Sequence, residues 1–242
     1  MEKYAIEVKN LRICYKGLKS YSIKKNFFLG KRRKPETFEA VKDLSFQLEK
    51  GEILGLVGKN GSGKSTLLKA IAGIFMPDSG TIDLYGNTVS LLAIGVGFQK
   101  ELSGRDNILL SGMLLGFSKE EILSRMDEII DFSELGDFIE KPIRTYSSGM
   151  YSKLSFAITA ILETDIILID EVLSVGDAYF RKKSFAKMKE LIKDKDRTVV
   201  IVSHDRKTIG DLCDKVLWLN DGQMMRFGDT KEVLKAYDAF LA

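Results

Sequence analysis

The chain has 242 residues, 45% hydrophobic and 29% charged, with 37 Lys and Arg against 34 Asp and Glu, the make-up of an ordinary globular domain able to bury a core without staples. The two cysteines, Cys14 and Cys213, form no ligand cluster, which excludes a structural zinc and points to a reducing compartment. No window approaches 18 uncharged apolar residues and "MEKYAIEVKN" holds no apolar signal region, so no membrane-spanning helix is expected.

The runs "MEKYAIEVKNLRICY", "FEAVKDLSFQLEKGE" and "GTIDLYGNTVSLL" alternate with Gly, Asn and Asp turns and predict antiparallel strands. Between the first two, Lys16–Lys34 holds eight basic residues and no acid. Such an arm is either a solvated surface or the contact for an anionic partner. "EILGLVG" (52–58) reads as a buried parallel strand. It leads into a helical pattern over 64–75, with Leu67, Leu68, Ile71 and Phe75 on one face. Residues 101–160 are helical in pattern, with turns at "GFSKEE" and "EKPIRTYSSG". "DIILID" (165–170) and "TVVIVS" (198–203) are apolar without alternation, as strands buried on both faces are. Between them Phe185, Met188 and Ile192 mark one face of a helix over 185–193. "KVLWLNDGQMMRFG" (215–228) predicts a hairpin turning at Asp221-Gly222, and "TKEVLKAYDAFLA" a closing helix.

Three stretches carry chemistry. "GKNGSGKST" (58–66) matches G-x-x-x-x-G-K-[ST] between a predicted strand and helix. Gly58, Gly61 and Gly63 let backbone N–H groups converge on phosphate oxygens, and Lys64 reaches the β- and γ-phosphates. Ser65 ligates Mg²⁺, and Asn60, Ser62 and Thr66 complete the nucleotide-binding stretch. Asp170 ends an apolar strand where it holds the metal through water, and Glu171 follows as general base toward the attacking water. His204, the single histidine, ends another buried strand on the side where open α/β sheets bind ligands. "TYSSGMYSKLSF" (145–156) places serines and a glycine at the start of a helix, a ready anion site.

In this order these elements resemble the nucleotide-binding subunit of ATP-binding cassette (ABC) transporters over nearly the whole chain. The resemblance implies an α/β fold: a P-loop NTPase core with a mostly parallel sheet, an N-terminal antiparallel β subdomain and an inserted helical subdomain. Its parts would be 1–98, 99–160 and 161–242 of a single ATPase domain. "YSSGM" (146–150) stands at the family signature, where Ser147 and Gly149 match and Ser148 and Met150 depart. The resemblance implies that this stretch binds the γ-phosphate of ATP held by a second copy of the chain. It likewise places Asp177 of "SVGD" at the dimer seam, Gln99 as the glutamine linking Mg²⁺ to the helical subdomain, and His204 at the γ-phosphate. Tyr15 fits the aromatic that stacks on adenine, with Phe38 as its rival.

"YSSGM", "IDEVLSVGDAYFRKKS" and "GFQKELSGRDNI" look most like cassettes that export lipid-linked polysaccharides such as O-antigen, capsule and teichoic acid. Lys153 stands where that group carries Arg. The implied protein is an ATPase using ATP and Mg²⁺, a homodimer when ATP is bound, peripheral on the cytoplasmic face of the membrane and paired with a separate permease. Lys16–Lys34 would meet anionic lipid head groups or polymer phosphate, with no nucleic acid expected. The competing reading is a non-transport ABC ATPase that acts on nucleic acid or an assembly complex, with the basic arm as its footprint.

Overall fold

The computed structural model describes residues 3–16, 37–92, 95–170, 176–203 and 205–241. Two sheets organise the chain. In the first, β1 (Tyr4–Lys16) pairs antiparallel with β2 (Thr37–Glu49) on one side and β4 (Ser79–Asp83) on the other. The second runs β5 (Val89–Leu91), β6 (Ile166–Ile169), β7 (Thr198–Val202), β3 (Ile53–Val57), β8 (Lys215–Asn220) and β9 (Gln223–Asp229). Its pairings are parallel except for the β8–β9 hairpin. That hairpin turns at Asp221 and Gly222, both at positive φ, as the sequence predicts.

The parallel strands show why their sequence lacks alternation. On β6, Ile166 and Leu168 enter one core while Ile167 and Ile169 enter another; Val200 and Val202 of β7 part in the same way from Val199 and Ile201. The antiparallel sheet and α1 (Lys64–Ile71) cover the first face. The other face is covered by α6 (Ala178–Lys193), α7 (Arg206–Leu212) and α8 (Thr230–Leu241). A third core joins α2 (Gly104–Leu114), α3 (Lys119–Ser124), α4 (Met126–Ser133) and α5 (Ser148–Leu162) around Ile108, Ile129, Leu154 and Ile158. It is the helical insert expected at 101–160, between the first and second buried strands. No helix among the described residues is long and apolar enough to cross a membrane.

Three local expectations change. "GTIDLYGNTVSLL" does not stay in the antiparallel sheet, because Tyr85 and Gly86, both at positive φ, turn the chain away after β4. Its second half becomes β5 and pairs with β6, where the Asp165 carboxylate accepts from the Thr88 N–H at 2.8 Å and the Thr88 hydroxyl at 2.6 Å. The first core helix stops at Ile71, where Gly73 takes a left-handed φ of 71°, so Phe75 packs from beyond the helix end. Helix α6 begins at Ala178, earlier than the apolar pattern suggests, because Asp177 caps it. Phe180 and Leu191 join Met188 and Ile192 on its buried face, while Phe185 is turned outward and half exposed.

Helix α8 closes the fold over β8. The Trp218 ring lies 5.4 Å from Tyr237 and 5.0 Å from Phe240, and the Lys59 ammonium sits 5.1 Å from the Phe240 centroid.

Candidate functional site

Strand β3 is internal to the parallel sheet, between β7 and β8, and residues 58–63 leave it at its C-terminal end, the side where such sheets bind ligands. The loop threads between two backbones. A Cβ on Gly58 (φ 150°) would lie 2.1 Å from the Leu219 carbonyl oxygen, and one on Gly63 (φ 103°) 2.3 Å from that of Ala40. Behind the loop, the Gly222 N–H donates to the Ser62 carbonyl at 3.1 Å. The Lys64 ammonium is buried and donates to the carbonyls of Gly58 (2.8 Å) and Lys59 (3.0 Å), which fixes it over the loop. Among the described residues, helix α1 has no side-chain cap and the buried Ser62 hydroxyl has no hydrogen-bond partner. A cleft of about 300 Å³ runs along Asn60, Gly61, Ser62, Gly63, Lys64, Ser65 and Thr66, with Phe38, Ala40 and Val202 as its remaining walls. An uncapped helix start, a buried ammonium and a hydroxyl in need of a partner together fit a polyphosphate.

Ser65 and Asp170 meet across 105 positions of sequence, the Ser65 hydroxyl donating to Asp170 Oδ1 at 3.4 Å. A hydroxyl beside a carboxylate is the oxygen-donor chemistry that Mg²⁺ takes. Glu171 and His204, the expected catalytic pair, lie outside the described residues, as does the basic stretch from residue 17 to 34.

The two aromatics proposed for adenine sit opposite one another, Tyr15 on β1 against Phe38 on β2. The Tyr15 hydroxyl is 3.2 Å from Thr66 Oγ1 and its ring meets Phe75 edge-on at 5.9 Å. Phe38 is 60% exposed and lines the cleft. Gln99 is exposed and is not among the cleft's walls. Its backbone is clamped by Asn107, a residue to which sequence reasoning gave no role. The Asn107 side chain is fully buried, accepts from the Gln99 N–H (2.7 Å) and donates to the carbonyls of Gln99 (3.1 Å), Leu102 (3.2 Å) and Ser103 (2.7 Å). An asparagine one turn after a helix cap was the available signal.

Ser147 is the N-cap of α5, its hydroxyl accepting from the Met150 N–H at 3.2 Å. Tyr146 is anchored by donating to the Phe138 carbonyl at 2.7 Å, and burial pushes its phenol up to about 12. Ser147, Gly149 and Met150 line a second cleft of about 290 Å³ with Glu134, Leu135, Lys153, Gly176 and Asp177. The hydrogen bond from Lys153, with those from the Phe180 and Tyr179 N–H groups, holds the Asp177 carboxyl down at about 2. That carboxylate therefore stays charged until the pH falls well below the ordinary Asp range. The two clefts have no wall residue in common.

A sequence model described as ABC transporter matches residues 41–174, more than half of the chain. The chain belongs to the ABC transporter family. This ABC transporter chain is 42% identical over 219 residues to the O-antigen export system ATP-binding protein RfbB of Klebsiella pneumoniae, a match covering 90% of it and 87% of that relative. It is 46% identical over 210 residues to RfbB of Myxococcus xanthus, covering 86% of the chain and 48% of the relative. It is also 46% identical over 202 residues to the teichoic acids export ATP-binding protein TagH of Bacillus anthracis, covering 84% and 36%. The chain thus spans about half, or less, of these last two. Among solved structures, an ATP-binding subunit of an ABC transporter superposes with a TM-score of 0.71 at 22% identity, covering 97% of this chain and 93% of that one. A dimeric cassette in a post-hydrolysis state, bound to ADP and phosphate, gives 0.68 at 21%, covering 93% and 98%. At these identities the likeness concerns the fold, an ABC ATPase fold with its P-loop core.

The loop geometry makes a direct prediction. Gly63→Ala, forced toward the Ala40 carbonyl in a left-handed conformation, is expected to cost at least about 1 kcal/mol in urea unfolding. An unchanged urea midpoint would mean that the loop does not close against β2.

Proposed function

We propose that this chain is the ATP-hydrolysing subunit of an exporter that moves lipid-linked surface polysaccharide of the O-antigen, capsule or teichoic acid kind. It works as a homodimer beneath a separate membrane permease, on the cytoplasmic face of the membrane. The observation that carries this reading is the similarity to export ATP-binding proteins along nearly the whole chain, which favours export over action on nucleic acid. Co-purification with a permease encoded beside it, and loss of surface polymer when the chain is deleted, test it. An intact permease that never retains this chain overturns it.

In this reading ATP lies along Asn60–Thr66. Lys64 neutralises the β- and γ-phosphates, the start of α1 takes the phosphate charge as its cap, and the Ser62 hydroxyl gains its missing partner. Ser65 and Asp170 would hold Mg²⁺, with Gln99 as a further contact from the helical insert, and the metal would supply charge neutralisation at the β- and γ-phosphates. Glu171 takes the proton of the attacking water, and His204 holds the γ-phosphate. The separation of the two clefts supports a site shared between chains, in which Ser147, Gly149 and the N-terminus of α5 serve the ATP of the partner. Asp177 lies at the same seam.

Glu171→Gln is expected to bind ATP and stop turning over, and to accumulate as an ATP-bound dimer in light scattering, because the amide takes no proton from water. Lys64→Ala is expected to lose ATP affinity instead. A Glu171→Gln chain that stays monomeric at saturating ATP counts against the shared site.

Phe38 is the adenine-stacking residue in this reading, because Tyr15 already spends its hydroxyl on Thr66 and its ring on Phe75. Phe38→Ala is expected to weaken ATP binding by about 1–3 kcal/mol, the worth of one aromatic stack on a base, as read by calorimetry. Tyr15→Ala, which removes the ring, should leave affinity within about twofold, equivalent to a few tenths of a kcal/mol. The reverse order assigns the stack to Tyr15.

The basic arm meets lipid head groups or polymer phosphate, where each Lys or Arg contributes roughly 1 kcal/mol within a Debye length of about 8 Å. Replacing Lys31, Arg32, Arg33 and Lys34 with Ser is expected to lower export in cells without changing ATP affinity. Unchanged export would make the arm a solvated surface.

A further inference from the structure

The second cleft contains a side chain for which the proposed reaction has no role. Lys153 lies on α5 shortly after the signature, its side chain only 14% exposed. Its ammonium is 2.8 Å from Asp177 Oδ2, 3.5 Å from Glu134 Oε2 and 5.0 Å from the centre of the Phe180 ring. The Asp177 carboxylate is divided between two tasks. Oδ1 accepts from the N–H groups of Tyr179 (3.0 Å) and Phe180 (2.9 Å) and so caps α6, while Oδ2 takes Lys153. Just before it, Gly176 has a φ of 68°, and a Cβ there would meet Lys153 Cε at 2.9 Å. The lysine stem therefore lies flat against the turn that only glycine keeps open.

Glu134 is fixed from the far side. It ends α4 in a left-handed conformation, and Lys183 of α6 holds its Oε1 at 2.9 Å while donating also to the Phe132 carbonyl at 3.1 Å. Three elements thus converge on one ammonium: the end of α4 and the body of α5 from the helical insert, and the start of α6 from the core. Burial works against the charge on Lys153, yet the hydrogen bond to Asp177 and the nearby carboxylate of Glu134 hold the ammonium above its ordinary range. An exposed pair of one lysine and one carboxylate holds little. Here the cation is largely buried, shared between two carboxylates and seated on an aromatic face.

We infer that Lys153 is a positioning residue that ties the signature end of α5 to the Gly176–Asp177 turn, so that both reach the partner chain at one fixed spacing. Ser147 and Gly149 then move with the start of α6 rather than with the rest of the helical insert. The role rests on the shared-site reading above. A misplacement of about 1 Å at such a site costs up to about 10²-fold in rate, which is the leverage this tie exerts.

Lys153→Met keeps the stem and removes the charge, whereas Lys153→Arg keeps the charge. In the methionine variant, ATP affinity of the isolated chain is expected to stay within about twofold and kcat to fall by about 10-fold to 10²-fold. The Asp177 carboxyl, followed by carbon NMR, is expected to titrate closer to the ordinary Asp range. Arginine should restore most of kcat and the low titration. In the Glu171→Gln background, adding Lys153→Met is expected to weaken the ATP-driven dimer by about tenfold, a change of about 1.4 kcal/mol. Wild-type kcat in Lys153→Met, or equal dimerisation with and without it, overturns the positioning role alone. So does an arginine variant as inactive as the methionine one. Glu171→Gln staying monomeric overturns the shared site and the positioning role together.

Discussion

Around residues 58–63 three pieces of backbone approach more closely than side chains permit. The loop after β3 passes the Leu219 carbonyl of β8 at Gly58 and the Ala40 carbonyl of β2 at Gly63, and the hairpin turn at Gly222 donates to Ser62 from behind. This closure joins the antiparallel sheet, the central parallel strand and the hairpin. The phosphate-binding loop is therefore shaped by the sheets around it. A loop held in this way is ordered before any anion arrives, so little ordering remains to be done when a phosphate binds. The position of Lys64, buried and fixed on two loop carbonyls, follows from the same closure.

The helical insert is attached differently. It has a core of its own, and it meets the rest through the buried Phe156 and Ala160 of α5, which enter the second core, and through Lys153, which joins α5 to the start of α6. The first attachment is apolar and fully buried; the second is ionic and partly open to water. One edge of the insert is thus stiff and the other responsive to charge.

Much of this was legible in the sequence where backbone rules dominate. The buried strands declared themselves by apolar runs without alternation, and the structure shows Ile166 to Ile169 feeding cores on both faces. The phosphate loop was legible because its glycines have no substitute, and the hairpin because Asp221-Gly222 supplies two residues at positive φ. What failed was anything decided by tertiary partners. Strand β5 changed sheets because Asp165, far away in sequence, captures Thr88. Phe185 turned outward because Phe180 and Leu191 already fill the face of α6 that the apolar spacing had assigned to it. Asn107 and Lys153 look like ordinary polar helix residues until the groups they join are brought together, and the contact of Tyr15 with Thr66 is as hidden in the sequence.

The packing of α8 has an optical consequence. Trp218 is the single tryptophan of the chain, and its indole N–H is buried without a hydrogen-bond partner. One ring away, Phe240 meets both the indole and the ammonium of Lys59, a residue of the phosphate loop itself. Any shift of that loop changes the charge and polarity that the indole senses through Phe240. The chain thus carries a native fluorophore wired to its anion-binding loop, and its emission colour offers a label-free record of how that loop is set.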